Sequence, residues 1–315
     1  MWSRSSSLIL LLACALQGQQ RFVAEEAHMG TVFRITVYAD EPQDALRAAF
    51  DRIAQLDHEL SDYKPDSELN RICRAGGGEV SDDLYRVLQQ SLRLSEDSGG
   101  AFDITLGPVI RLWRLKRVPS QERIAAAMGH VGYRNVVLGD HSVTLKVSEM
   151  QLDLGAIAKG FAAEEALKVL RARGLPSALV AASGDLAIGD APPGKHGWTV
   201  ALEPGQDREV MVLRNTFVGT SGDTEQFVEG GGKRYSHIID SRTGLGLTRS
   251  VGVSVIAPNG MLADALGTTL SVVAARDGIA AAQALAHKYS GVRALIRLDP
   301  VGAAEEERDH HQDHE

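Results

Sequence analysis

Within thirteen residues, 151–163 (QLDLGAIAKGFAA), the chain passes from an apolar run through a small-residue turn into an Ala-rich stretch. Leu152 and Leu154 read as a strand, Gly155 and Ala156 as a tight turn, and residues 158–173 as a helix. A strand that feeds a helix through so short a turn gathers unpaired N–H groups at one spot, which suits phosphate oxygens. A buried-looking carboxylate, Asp153, and a cation, Lys159, flank the turn. Taken by itself the segment also reads as an ordinary strand–helix connection, so its meaning depends on what accompanies it.

Two periodicities accompany it. Residues 31–38 put Phe33, Ile35 and Val37 on one face, as a half-buried strand does. Residues 42–60 carry Leu46, Phe50, Ile53, Leu56 and Leu60 at helical spacing. Ser81, followed by Asp82 and Asp83, opens a second helix with an N-cap and acids suited to the helix dipole; Leu84, Val87, Leu88 and Leu92 form its inner face. Residues 135–147 read as a hairpin around a Gly-Asp turn. Strands are expected at 178–182, 198–202, 209–214, 250–256 and 293–298, and helices near 263–273 and 277–289. The result is a mixed α/β (α+β) chain of largely antiparallel sheets flanked by helices. Regular βαβ alternation is missing and no G-x-G-x-x-G follows the first strand, so this is not a Rossmann fold. No internal repeat or interdomain linker is visible.

The ends add location. Residues 1–20 read as an export signal: Arg4, a short apolar run over 8–13, then Cys14. The run is far shorter than the ~20 apolar residues of a membrane-spanning helix. Residues 11–14 (LLAC) resemble a lipobox in which Cys14 would be acylated, and they also fit a soluble export signal cut just beyond. Both readings place the mature protein outside the cytoplasm, in the periplasm; under the first, a lipid anchor is its only link to the membrane. The main domain is expected over 21–300, and the charged tail 301–315 reads as disordered. Cys73 is the only other cysteine and suits packing better than nucleophilic chemistry. A net charge of −8 argues against a nucleic-acid partner.

Five further segments fall in order around the first. These are HMGT (28–31), SDYKPDSELNR (61–71), GAFDITLGPV (100–109), TSGDTEQFVEGGGKRYSHIIDSRTG (220–244) and APNGMLADALGTTLSV (257–272). Together the six resemble the bacterial ApbE family, the FAD:protein FMN transferases. Two positions depart from the family pattern: Ser241 stands where the family usually has Pro, and Ser183-Gly184 stands where it usually has a Gly pair before Asp185. Both bear on turn geometry.

Asp264 and Thr268 lie four apart on a predicted helix and share a face. A carboxylate and a hydroxyl so placed suit a hard cation such as Mg²⁺. Spacing alone equally allows Asp264 to serve the helix N-terminus and Thr268 to bond back to its own helix. The resemblance implies the metal reading, with the carbonyl of Ala156 as a further ligand. It also implies that FAD is the donor substrate, held by Met29 (isoalloxazine), Tyr63 (adenine), Ala101, Phe102, Asp103, Asp153, Lys159 and Ile239. His237 is the candidate general base and Asp264 its catalytic companion; Ile238 and Ile239 also let His237 be a structural strand residue. His28 opens a strand, while His130, His141 and His196 fall in loops. The implied activity is Mg²⁺-dependent transfer of FMN from FAD to a Thr or Ser hydroxyl of an acceptor flavoprotein in a membrane redox complex, with release of AMP. Hydrolysis of FAD to FMN and AMP is one alternative; a non-catalytic FAD-binding lipoprotein is another.

Overall fold

The computed structural model describes residues 19–202, 209–222 and 227–298. The first half contains β1 (Gln20–His28), β2 (Thr31–Ala39), α1 (Gln43–Leu60), α2 (Glu68–Ala75), β3 (Gly77–Glu79) and α3 (Asp82–Asp97). It continues through α4 (Gly107–Trp113), α5 (Gln121–Met128), β4 (Val136–Leu138), β5 (Ser142–Leu145) and α6 (Ala158–Ala172). The second half is strand-rich: β6 (Ala178–Ala182), β7 (Asp185–Ile188), β8 (Trp198–Leu202), β9 (Glu209–Leu213), β10 (Thr216–Ser221), β11 (Phe227–Gly230) and β12 (Lys233–Ser236). It ends with β13 (Ile239–Asp240), β14 (Leu245–Gly246), β15 (Val251–Ala257), α7 (Gly260–Asp277), α8 (Ile279–Ala286) and β16 (Arg293–Leu298).

Seven strands form the main sheet in the order β1-β2-β6-β7-β10-β15-β16, and every pairing in it is antiparallel. The alternation in β2 has the predicted consequence: Phe33, Ile35 and Val37 are fully buried. They face a layer made by α1, α6 and α7, whose Ile53, Leu56, Phe161, Leu167, Leu266 and Leu270 belong to the same core. Each such side chain stabilises the fold by roughly 1.5–3 kcal/mol on burial. The opposite face carries a smaller cluster of Ile188, Trp198, Val200, Leu202 and Val218, covered by the β8–β9 ribbon.

Several expectations are corrected. Residues 151–154 belong to no strand, so the turn at 155–157 is entered from a coil. That coil is fixed all the same, because Asp153 N–H donates to Ile104 O at 2.7 Å. His28 ends β1 and does not open a strand. Helix α7 begins three residues before 263, since the Asn259 side chain accepts from Leu262 N–H as N-cap. Gly278, at φ +93°, separates α7 from α8. Ser81 does cap α3, accepting from Leu84 N–H.

Candidate active site

The N-terminal turns of α6 and α7 meet backbone to backbone at a pair of glycines. A Cβ on Gly160 would lie 2.2 Å from Gly260 O, and one on Gly260 would lie 2.1 Å from Gly160 O. This closeness permits a reciprocal exchange. Gly160 N–H donates to Asp264 Oδ2 at 2.9 Å, and Gly260 N–H donates to Glu164 Oε2 at 2.8 Å. Each acid sits four residues after the glycine of its own helix and answers the N-terminus of the other. The α6 amide offered by the sequence to phosphate is therefore taken by a carboxylate.

The exchange has a second effect. Gly160 N–H is the donor that would close a helical bond on Ala156 O. Diverted to Asp264, it leaves the Ala156 carbonyl with no backbone donor among the described residues. Thr268, one turn along α7 from Asp264, is half-buried, and its hydroxyl has no hydrogen-bond partner among the described residues. Its neighbour Thr269 is the one that bonds back, to Ala265 O at 2.6 Å.

Lys159 gathers the charges. Its Nζ donates to Gly155 O at 3.0 Å and lies 3.2 Å from Asp185 Oδ2 and 3.4 Å from Asp264 Oδ1. Both carboxylates are buried, Asp185 at the start of β7 and Asp264 in the first turns of α7. Two buried carboxylates against one ammonium leave the cluster one positive charge short. Burial, reinforced by the charge of Asp264, pushes Asp185 up to about 7 despite Lys159. Burial pulls Lys159 down, but the two carboxylates more than offset it and raise its pKa. A hard cation fits this deficit: Asp264, the Thr268 hydroxyl and the Ala156 carbonyl are oxygen donors of the required kind. No group of three or more His, Cys, Asp or Glu side chains with metal-site geometry exists among the described residues. So sparse a donor set suits Mg²⁺, which keeps much of its shell as water.

Asp153 ties this centre to the other segments. Its Oδ1 accepts from Gly155 N–H at 2.8 Å, and its Oδ2 accepts from Arg114 Nη2 at 2.7 Å. Arg114 also donates to Asp62 and lies over the ring of exposed Tyr63, with Cζ 4.0 Å from the centroid. Ala101 and Phe102 are buried and lead into Asp103. The Asp103 carboxylate is engaged within the protein, accepting from Thr105 N–H (2.8 Å), Thr105 Oγ1 (2.6 Å) and Tyr133 N–H (3.1 Å). Burial raises its pKa.

His237 is exposed in a bend between β12 and β13, not in a strand. Ile239 is buried against Leu106, Val109, Trp113 and Ile124. Ser241, the departure from Pro, donates its hydroxyl to Gly100 O and so fastens the 237–241 segment beside Ala101. Met29, at φ +50°, occupies the β1–β2 turn and packs on the main core. The structure thus links Tyr63, Ala101–Asp103, Asp153, Ala156, Lys159, Asp264 and the 237–241 segment through successive contacts; Met29 is held separately. Sequence reading missed Asp185, Arg114 and the Gly160–Gly260 contact. Only Asp185 had a local signal, the Ser-Gly-Asp turn.

The ApbE family model matches residues 29–296. This chain belongs to the ApbE family. A Treponema pallidum relative named FAD:protein FMN transferase is 35% identical over 303 residues, covering 86% of this chain and 83% of the relative. A Vibrio cholerae protein of the same name is 30% identical and covers 89% of each chain. The apo crystal structure of Pseudomonas stutzeri flavinyl transferase ApbE superposes with a TM-score of 0.79 at 28% identity, over 92% of this chain and 98% of that one. The ApbE protein of Thermotoga maritima gives 0.79 at 29% identity, over 91% and 98%. The antiparallel sheets and flanking helices are therefore the ApbE fold, and the protein is an enzyme of this family.

Proposed function

We propose that this ApbE enzyme transfers FMN from FAD to the hydroxyl of a Thr or Ser on an acceptor flavoprotein and releases AMP. The observation that carries the reading is the Lys159–Asp185–Asp264 cluster, a buried centre one positive charge short beside a carbonyl and a hydroxyl that have no hydrogen-bond partner among the described residues. In the transfer, the acceptor oxygen bonds to the FMN phosphorus, the phosphorus–oxygen bond to AMP breaks, and AMP leaves with the electron pair. The acceptor proton goes to a base, a role assigned to His237, whose exposure allows a partner protein to reach it. Asp264, Thr268 and Ala156 would hold Mg²⁺, which when bound offsets charge on the phosphate oxygens. Lys159 holds the two carboxylates in place and adds its own positive charge to the centre. FAD would lie along Met29, Tyr63, Ala101–Asp103, Asp153, Lys159 and Ile239. The acceptor would belong to a membrane redox complex met outside the cytoplasm, a proposal that goes with reading 1–20 as an export signal.

The test is incubation with FAD, Mg²⁺ and an acceptor domain carrying a Ser/Thr-Gly-Ala-Ser/Thr motif, followed by intact mass. A gain of one FMN phosphoester on the acceptor, matched by AMP, is the expected result. AMP released equally fast without acceptor would replace transfer by hydrolysis. FAD bound without turnover in saturating Mg²⁺ would leave only a flavin carrier.

A further inference from the structure

A tyrosine that is 72% exposed is ordinarily free to swing, yet Tyr63 is held by its loop and on one face of its ring. Its loop is wound on the Asn70 amide, which donates to the carbonyls of Asp62 and Lys64 at 2.9 Å each. One face of the ring is covered by the Arg114 guanidinium. That guanidinium is fixed in turn, because Asp62 and Asp153 both accept from it and their side chains are only 8% and 7% exposed. A planar fork can satisfy two carboxylates along its edge while its face lies on a ring; an ammonium cannot.

Beside Tyr63 opens a cavity of about 310 Å³, with Arg74, Arg111 and Gln151 in its wall. Ligand pockets run from about 300 to 1,000 Å³, so this one has room for an aromatic ring system; the FAD reading above gives Tyr63 to the adenine, which makes that ring system the purine. Asp153, which holds Arg114, also begins the turn whose Gly155 carbonyl receives Lys159. A dinucleotide with its phosphates at Lys159 would have one aromatic end near Tyr63.

We propose that Arg114 is a positioning residue for the purine half of the donor: pinned by Asp62 and Asp153, it backs the Tyr63 ring and fixes the ring's other face as a stacking platform. The inference rests on the FAD-donor reading above. It makes the leaving AMP, not FMN, the half of the substrate that Arg114 governs.

The experiment is calorimetric binding of AMP and of FMN to the full-length enzyme and to Arg114→Ala, Arg114→Lys, Tyr63→Ala and the Tyr63→Ala/Arg114→Ala double variant. Base stacking on an aromatic side chain is strong enough that losing the platform should weaken AMP by about tenfold, with FMN affinity unchanged. Arg114→Ala leaves two buried carboxylates without their partner, so Arg114→Lys serves as the folded comparison: it keeps a charge for them but has no planar face. It should retain the wild-type melting temperature and still weaken AMP. In the Tyr63→Ala background, Arg114→Ala should add almost nothing, since the two act as one unit. Unchanged AMP affinity in both Arg114 variants would overturn the proposal, as would tighter AMP binding or equal losses for AMP and FMN. Additive effects in the double variant would do the same. A wild-type enzyme that binds AMP but flavinylates no acceptor would sink the transfer reading and leave the platform standing.

Discussion

At the scale of single residues, charge excess is the governing quantity of the site. Asp185 reverses the usual behaviour of a paired carboxylate, because burial and Asp264 outweigh Lys159 and lift it to about 7 from 3.8. Below pH 3.8 both folded and unfolded states carry its proton. Between 3.8 and 7 the folded state holds a proton that the unfolded state has lost, so stability falls as pH rises through this window, by at most roughly 1.4 kcal/mol per unit. Asp185→Asn removes that slope, and without Mg²⁺ its melting temperature should gain on wild type from pH 4 to 7. Parallel melting curves would show that Asp185 ionises normally. Asp264 and His237 separate differently. Asp264→Ala removes the one carboxylate among the proposed ligands, so turnover should fall and partly recover in excess Mg²⁺ by mass action. His237→Ala should bind FAD normally and lose roughly 10²–10⁴ in the chemical step with no rescue by Mg²⁺. Recovery of His237→Ala in excess Mg²⁺, or loss of its FAD binding, would move the base elsewhere.

At the scale of elements, the decisive contact is between α6 and α7, where two glycine backbones touch and exchange carboxylates. Gly160→Ala forces a methyl into Gly260 O, so the helices must part and the Gly160–Asp264 bond must lengthen. The overpacking cost is roughly 1–3 kcal/mol. A lower melting temperature together with weaker FAD binding should be measured; a variant that melts like wild type would mean the helices are not in contact. No reading of one chain segment reveals such a contact, because Gly160 and Gly260 are each ordinary small residues in their own helix. Local period served where it was strong: β6, β8 and β16 fall at the predicted residues, and burial alternates along β6 and β8. It failed at β10, whose small and polar residues become a strand through pairing with β7 and β15. It also misread 151–154, where leucines flanking Asp153 meet no partner strand but bury into the core. The Asp153, Lys159 and Asp264 positions were legible because motif order placed them; Arg114 carried no signal, since its role depends on carboxylates 52 and 39 residues away.

At the scale of the whole molecule, the sheet gives the protein a direction. Strand β1 is an edge of the main sheet, starts at Gln20 and runs nine residues to His28, beyond which lies the Met29 turn. At about 3.4 Å per residue the two ends of this antiparallel strand are ~27 Å apart. Cys14 lies outside the described residues and only six positions before Gln20. No helix among the described residues is long and apolar enough to cross a membrane. Acylation of Cys14, proposed from residues 11–14, would therefore hold the Gln20 end of the sheet toward the bilayer and the Met29 turn away from it. A single acyl chain binds membranes only marginally, and stable attachment needs more than one. Bacterial lipoproteins carry several, so wild-type protein should fractionate with membranes and Cys14→Ser should appear in the soluble periplasmic fraction. Because none of the residues proposed for the site falls in 1–20, purified Cys14→Ser should still flavinylate a soluble acceptor domain at the wild-type rate, while losing efficiency toward an acceptor embedded in vesicles. Wild-type protein found entirely soluble would make residues 11–14 the end of an ordinary export signal, and equal rates of both forms on the embedded acceptor would show that the anchor does not orient the site.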